Sequence, residues 1–185
     1  MSVFFTADLH LGHQNIIKYC NRPFRDADHM NTALIRNWNS RVKHGDTVFH
    51  LGDFCCYGAE RGVPGTKIKS DSWIEQLCGN IIHIRGNHDA NNTVKCALEY
   101  ATVQFSNTLW FMSHRPPWQL PVPPPEADVY LCGHDHEKWR TENWNGHLVI
   151  NVGVDANKFI PLNKAEITAI KTRYEKEQLC SSLDS

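Results

Sequence analysis

Short apolar runs of strand length recur along most of the chain. They are Val3-Phe4-Phe5, Val48-Phe49-His50-Leu51, Ile81-Ile82-His83-Ile84, Leu109-Trp110-Phe111-Met112 and Val129-Tyr130-Leu131-Cys132. Rich in β-branched and aromatic residues and ended by polar residues or glycine, they predict strands over residues 3–6, 47–51, 81–85, 108–113 and 129–132. Elsewhere the period changes. Met30, Leu34, Trp38 and Val42 recur every four residues, with Ile35 beside them. That stripe predicts a helix over about residues 29–43 packed on one side of a sheet, with Asp28 as its cap and Gly45 as its stop. Shorter helices are predicted over residues 14–20 and 92–100, and over 72–78 from a Ser72/Glu75 capping box with Gly79 at its end.

The pattern shifts after His114. Pro116-Pro117 and the prolines of 121–125 mark an extended loop with few backbone donors. Trp144-Asn145-Gly146-His147 has the chemistry of a type I′ hairpin turn. A strand over 148–152 follows it, a last strand is expected over 165–171, and a polar tail over 173–185, with Leu179 and Leu183 as anchors. Strands and helices alternate and no repeat or linker divides the chain. The expectation is one α/β domain over residues 1–185, layered and not a single doubly wound sheet.

Composition narrows the class. At 185 residues the chain is long enough for a sizeable core. Its net charge of -1 argues against a general nucleic-acid or membrane-surface binder. No apolar run reaches membrane-spanning length, and chemistry-bearing residues begin at Asp8, leaving no room for a cleavable leader. The expected location is cytoplasmic. The seven cysteines are odd in number and form no Cys-x-x-Cys pair, so they read as reduced thiols and not as a disulfide framework or thiolate zinc site.

Metal-type side chains follow the predicted strands. Asp8 and His10 follow the first, Asp53 the second, Asn87-His88-Asp89 the third, His114 the fourth, and His134 and His136 the fifth. In open α/β sheets the C-terminal edge is where ligands bind. Residues two apart in an extended segment share a face, so Asp8 with His10, and His134 with His136, can each reach one ion. Asp53 can bridge two cations, and Asn87 and His114 add neutral donors. Carboxylate oxygen mixed with imidazole suits Mn, Fe or Zn, of which Mn is favoured. Gly52, Gly86 and Gly133 each precede a motif residue, as expected where the backbone takes positive φ beside a ligand.

In this order the motifs Asp-x-His, Gly-Asp, Gly-Asn-His-Asp, His and Gly-His-x-His resemble the calcineurin-like metallophosphoesterase superfamily. The likeness runs from Asp8 to about Asp155, and the surrounding text is similar to a branch of small prokaryotic or phage phosphoesterases. One departure is Ser113-His114, where the superfamily often has Gly-His. The resemblance implies two packed mixed β-sheets flanked by helices. It implies a first metal on Asp8, His10 and His136, a bridging Asp53, and a second metal on Asn87, His114 and His134. It implies His88 as the catalytic histidine, with Asp89 fixing its orientation. A hydroxide bridging two divalent cations about 3.5–4 Å apart would attack phosphorus in line. His13, Arg85 and Arg115 are expected to face the substrate, and Trp118 to lie near it. No insertion is large enough for a cap, so an open cleft and a phosphodiester substrate are expected. A phosphomonoesterase on the same site, and a non-catalytic protein-binding scaffold of the same fold, are the alternatives.

Overall fold

The computed structural model describes residues 1–56, 70–89, 94 and 98–183. Strands β1 (Val3–Thr6), β2 (Thr47–His50) and β3 (Asn80–His83) form the parallel core of a four-stranded sheet. Its order is β3-β2-β1-β9, with the short β9 (Leu162–Asn163) antiparallel to β1. The second sheet has the order β4-β5-β6-β8-β7. There β5 (Thr108–Ser113), β6 (Val129–Cys132) and β8 (His147–Asn151) run parallel. The edge strands β4 (Tyr100–Phe105) and β7 (Thr141–Trp144) are antiparallel. All five apolar runs are strands, as expected.

The two sheets face each other across one core. Phe5, Leu51 and Ile84 from the first meet Trp110, Met112, Leu131 and Ile150 from the second, all essentially buried. On the outer face of the first sheet lie α1 (Ile16–Tyr19), α2 (Ala27–Arg41) and α3 (Ser70–Ile74). Here Met30, Leu34 and Trp38 form the predicted stripe. The outer face of the second sheet is covered by the Pro-rich loop and by Trp139 and Trp144. These are two mixed sheets with flanking helices, as the resemblance implied.

Several boundaries differ from expectation. Asp26, not Asp28, caps α2: its Oδ1 accepts from the His29 N–H at 2.8 Å, and Asp28 sits in the first turn. The helix stops at Arg41, where Val42 turns extended, so Gly45 lies beyond it in a turn closed by Asp46. Helix α3 begins at Ser70 and gives way after Ile74 to hydrogen-bonded turns that end at Gly79, φ +94°. The predicted helix over 92–100 lies largely outside the described residues, and its last residue, Tyr100, opens strand β4. Asn145 and Gly146 both take positive φ, as the hairpin turn required.

The predicted strand over 165–171 is wrong, and the polar stretch after it is helical as far as Leu183. Both belong to helix α4 (Lys164–Leu183). Its start is a reciprocal capping box: Asn163 Oδ1 accepts from the Glu166 N–H (2.9 Å), and Glu166 Oε2 from the Asn163 N–H (2.8 Å). Ile167, Ile170 and Tyr174 then face the inter-sheet core, while Leu179 is exposed. No helix among the described residues is long and apolar enough to cross a membrane.

Candidate metal centre

Because β1, β2 and β3 are parallel, and so are β5, β6 and β8, their C-terminal ends lie on one edge of each sheet. The two edges are laced together. The Asp8 N–H bonds to Gly52 O and the His10 N–H to Asp53 O, both at 3.0 Å. From the second sheet, the His134 N–H bonds to the Asp8 carboxylate at 3.0 Å, and the Val154 N–H to Ala7 O at 3.1 Å.

The loops leave these strands in an unusual conformation. Asp8, His10, Asp53, His134 and His136 all have φ between 50° and 72°. Non-glycine residues there cost of order 1–3 kcal/mol each, and such strain gathers at functional sites. The paired residues therefore converge through left-handed turns, not through the extended geometry read from sequence. The glycines also divide in role. Gly52 has φ +95° and is also crowded, since a Cβ there would lie 2.6 Å from His114 Nδ1, whereas Gly86 and Gly133 are needed for space alone. A Cβ on Gly86 would lie 2.2 Å from Asp53 Oδ1, and one on Gly133 2.5 Å from Asp8 Oδ2.

The side chains form two overlapping groups. Ligand atoms of Asp8, His10 and His136 all lie within 4.8 Å of one another, as do those of Asp8, Asp53 and His114. Asp53 stands between the groups: its Oδ2 is 3.5 Å from His10 Nε2 and 3.4 Å from His114 Nε2. Asn87 Oδ1 is 3.0 Å and His134 Nδ1 3.2 Å from that same His114 nitrogen. His10 Nε2 is buried with no hydrogen-bond partner, an orphan that a cation would satisfy. The expected ligand residues Asp8, His10, Asp53, Asn87, His114, His134 and His136 are thus brought together.

A second layer aims them. His114 Nδ1 donates to Leu51 O at 2.8 Å, which leaves Nε2 facing the site. His136 Nδ1 donates to Asp155 Oδ2 at 2.8 Å. Asp155 is itself gripped by the buried Arg22, with Nε and Nη2 each 2.8 Å from its oxygens. Neither Arg22 nor Asp155 was singled out from sequence. Asp155 carried a signal, since Asn151-Val152-Gly153-Val154-Asp155 follows β8 as the other clusters follow their strands.

Burial and charge set the protonation. Burial lifts the Asp8 pKa to about 6. Burial would also lift Asp53, but the hydrogen bond and charge of His114, with His10, outweigh it and hold Asp53 well below the usual carboxylate range. Burial pushes His10 far down, and, with His114 and Arg115, brings His134 to about 4. His114 goes the other way: burial is outweighed by Asp53 and Asp8. So does His136, carried to about 10 by Asp155 and by Cys20 beside it. Burial pushes the Cys55 thiol to about 12, so it is no thiolate ligand. The six described cysteines form no disulfide, and Cys96 lies outside the described residues.

The remaining candidates are placed as follows. The exposed His88 has its N–H bonded to Asp53 Oδ1 (2.8 Å) and its ring centroid 5.2 Å from that of His10. His13 is beside both, with Nδ1 3.3 Å from His10 Nδ1. Asp89, expected to steady the His88 ring, instead braces the backbone. Its carboxylate accepts the N–H groups of Asp53 (2.8 Å), Gly86 (2.9 Å) and Phe54 (3.2 Å). Arg115 donates to His134 Nε2 at 3.0 Å. Arg85 pairs with Glu99 at 3.0 Å on the exposed rim. Trp118 packs on Trp139, centroids 5.5 Å apart.

Similar chains are known from bacteria, archaea and phage. A protein of unknown function from Aquifex aeolicus shares the fold, with a TM-score of 0.67, 21% identity, and coverage of 91% of this chain and 98% of that one. An uncharacterized protein of Methanocaldococcus jannaschii is 35% identical over 114 residues, 62% of this chain and 58% of its own. The gene 66 protein of Mycobacterium phage L5 is 34% identical over 88 residues, 48% of this chain and 40% of its own. The chain thus spans about half the length of these curated relatives. The family model for the calcineurin-like phosphoesterase superfamily domain matches residues 1–159, and the chain belongs to that superfamily.

Proposed function

We propose that this chain is a metal-dependent phosphoester hydrolase acting on phosphodiesters, with two divalent cations per chain and manganese the favoured metal. The observation that carries this reading is Asp53 Oδ2 standing between His10 Nε2 and His114 Nε2, the former a buried orphan. Asp8, His10 and His136 would hold one cation, and Asn87, His114 and His134 the other, with Asp53 shared. When bound, the cations supply a water acidic enough to be a nucleophile near neutral pH and neutralise charge on the phosphoryl oxygens. Around them the chain's own groups work. Exposed His88 is placed to donate a proton to the departing alkoxide, or to hold a phosphoryl oxygen. His13 and Arg115 border the same space and bind the phosphate. Asp89 is a positioning residue, locking the loops after β2 and β3 together.

Elemental analysis after manganese loading is expected to give about two ions per chain. The loaded protein should cleave bis(p-nitrophenyl) phosphate faster than p-nitrophenyl phosphate. A stoichiometry near one, or turnover unaffected by chelation, would sink the dinuclear reading. A preference for the monoester would move the assignment to phosphatase.

Metal loading should also release protons. Ligating imidazoles must be neutral, yet His136 is raised to about 10 and His114 is raised above its ordinary value. Apparent affinity should therefore climb with pH above neutrality, and fall in acid as Asp8 protonates around pH 6. Titration calorimetry near neutral pH in two buffers of different ionisation enthalpy should show net release of about one proton or more per chain. Without metal the sign reverses for stability. The His136 proton stabilises the fold fully below its unfolded pKa of about 6.5, and that contribution fades as pH rises towards about 10. Buffer-independent heats would show that the imidazoles were already neutral.

A further inference from the structure

A cavity of about 610 Å³ opens directly off the metal centre. Asn87 and His114 belong to its wall, so it is continuous with the place where phosphorus would sit. Away from them the chemistry changes from polar to apolar. The cavity passes between Phe111 on the outer face of the second sheet and the Pro-rich loop, where Leu120 and the prolines of 121–125 form the opposite wall. Tyr100, on edge strand β4, lines it with 58% of its surface exposed. Its ring lies on that of Phe111, centroids 5.5 Å apart and 25° from parallel.

An exposed tyrosine stacked on a buried phenylalanine, facing a stiff proline wall, is a shelf for a flat ring. Ring pairs at this separation are favourable, and the prolines fix the wall with few backbone donors to satisfy. The volume falls within the range of about 300–1,000 Å³ that small-molecule sites occupy. Of the cationic groups at the cavity, Arg115 stands at the phosphate end, where it donates to His134, while Arg85 is on the rim, paired with Glu99 next to Tyr100. Resting on the phosphoesterase reading above, we infer that this cavity binds a planar aromatic substituent of the substrate, a nucleobase or an aryl ring, while the cations hold its phosphate. Tyr100 is then a specificity-determining residue that takes no part in the bond cleavage.

The test uses the manganese-loaded full chain and four probes in titration calorimetry: inorganic phosphate, methyl phosphate, phenyl phosphate and adenosine 5′-monophosphate. The aromatic phosphates should bind roughly 5- to 150-fold more tightly than inorganic or methyl phosphate, the span of base–aromatic stacking. Tyr100→Ala should remove most of that gain and leave inorganic phosphate binding unchanged, which also reports an intact fold. Tyr100→Phe should keep the gain. A gain for adenosine monophosphate alone assigns the shelf to a nucleobase, and one for phenyl phosphate alone to a small aryl ring. Equal binding of all four probes, or a gain untouched by Tyr100→Ala, overturns the inference while the phosphoesterase reading stands. Failure of inorganic phosphate to bind the loaded protein takes down both.

Discussion

Replacing His88 with alanine is expected to lower turnover about 10²- to 10⁴-fold while the metal content stays at its wild-type level. Its ring is exposed at the site, and its hold on the protein runs through the backbone, by the 2.8 Å bond from its N–H to Asp53 Oδ1. That bond survives truncation of the side chain. Asp53→Asn should behave differently. It removes the carboxylate whose Oδ2 lies within 3.5 Å of both His10 Nε2 and His114 Nε2, so both metal sites should weaken and activity should vanish with them. Metal analysis beside kinetics on the two variants separates the roles. Equal metal loss in both would make His88 a ligand. The leaving group refines the test. If His88→Ala costs as much with nitrophenolate, which needs no proton, as with a poor alkoxide, then His88 is an electrostatic clamp on the phosphoryl oxygens and not an acid.

Much of the core was legible because its signals are local. Each of the five apolar runs is short, continuous and stopped by chemistry, and each is a strand. The stripe Met30-Leu34-Trp38 was legible for the same reason. The misses came where two local signals compete. Residues 165–171 carry β-branched Ile167, Thr168 and Ile170, which read as a strand. The Asn163/Glu166 box decides the matter by satisfying the free N–H groups of a helix start, and the isoleucines then face the core at helical spacing. Strand β4 has no fully buried residue to mark it, yet its period of two is clean, with Ala101, Val103 and Phe105 half-buried between exposed Tyr100, Thr102 and Gln104, so its signal is present in the sequence.

The ligand residues were visible as types in order, but their geometry was not. The i, i+2 spacing suggests an extended backbone, whereas five of these residues sit at positive φ, in loops tied together by the bonds of Asp8 to Gly52 and His10 to Asp53 within the first sheet and of His134 to Asp8 across the two. Gly86 and Gly133 precede their motif residues as a glycine of positive φ would, yet what they supply is the absence of a Cβ beside Asp53 and Asp8. Asp89 is the sequence neighbour of His88, yet its oxygens meet backbone from the loop after β2. Such contacts depend on which loops the sheet edges bring together, and no spacing along the chain encodes that.

Arg22 is the clearest residue that only the fold reveals, and Arg22→Met should cost about 3–5 kcal/mol of stability. Its guanidinium and the Asp155 carboxylate are both essentially inaccessible, joined by two 2.8 Å contacts. The same group donates to Asp8 O at 2.7 Å and Leu9 O at 3.0 Å. Removing it leaves a buried carboxylate that, among the described residues, keeps its bond to His136, and frees two carbonyls in the turn where Asp8 and His10 are strained. The effect should therefore reach the metal as well. With Asp155 less firmly held, His136 loses its fixed tautomer, and second-layer losses of this kind typically weaken metal binding about 10- to 100-fold. Urea melts of the metal-free variant give the stability change, and competition with a chelator gives the affinity. The double variant Arg22→Met with Asp155→Asn removes the stranded charge and should recover part of the lost stability, though not the metal affinity. A loss below about 1 kcal/mol for Arg22→Met alone, the worth of an exposed ion pair, would mean that water replaces the guanidinium and that Arg22 does not organise the site.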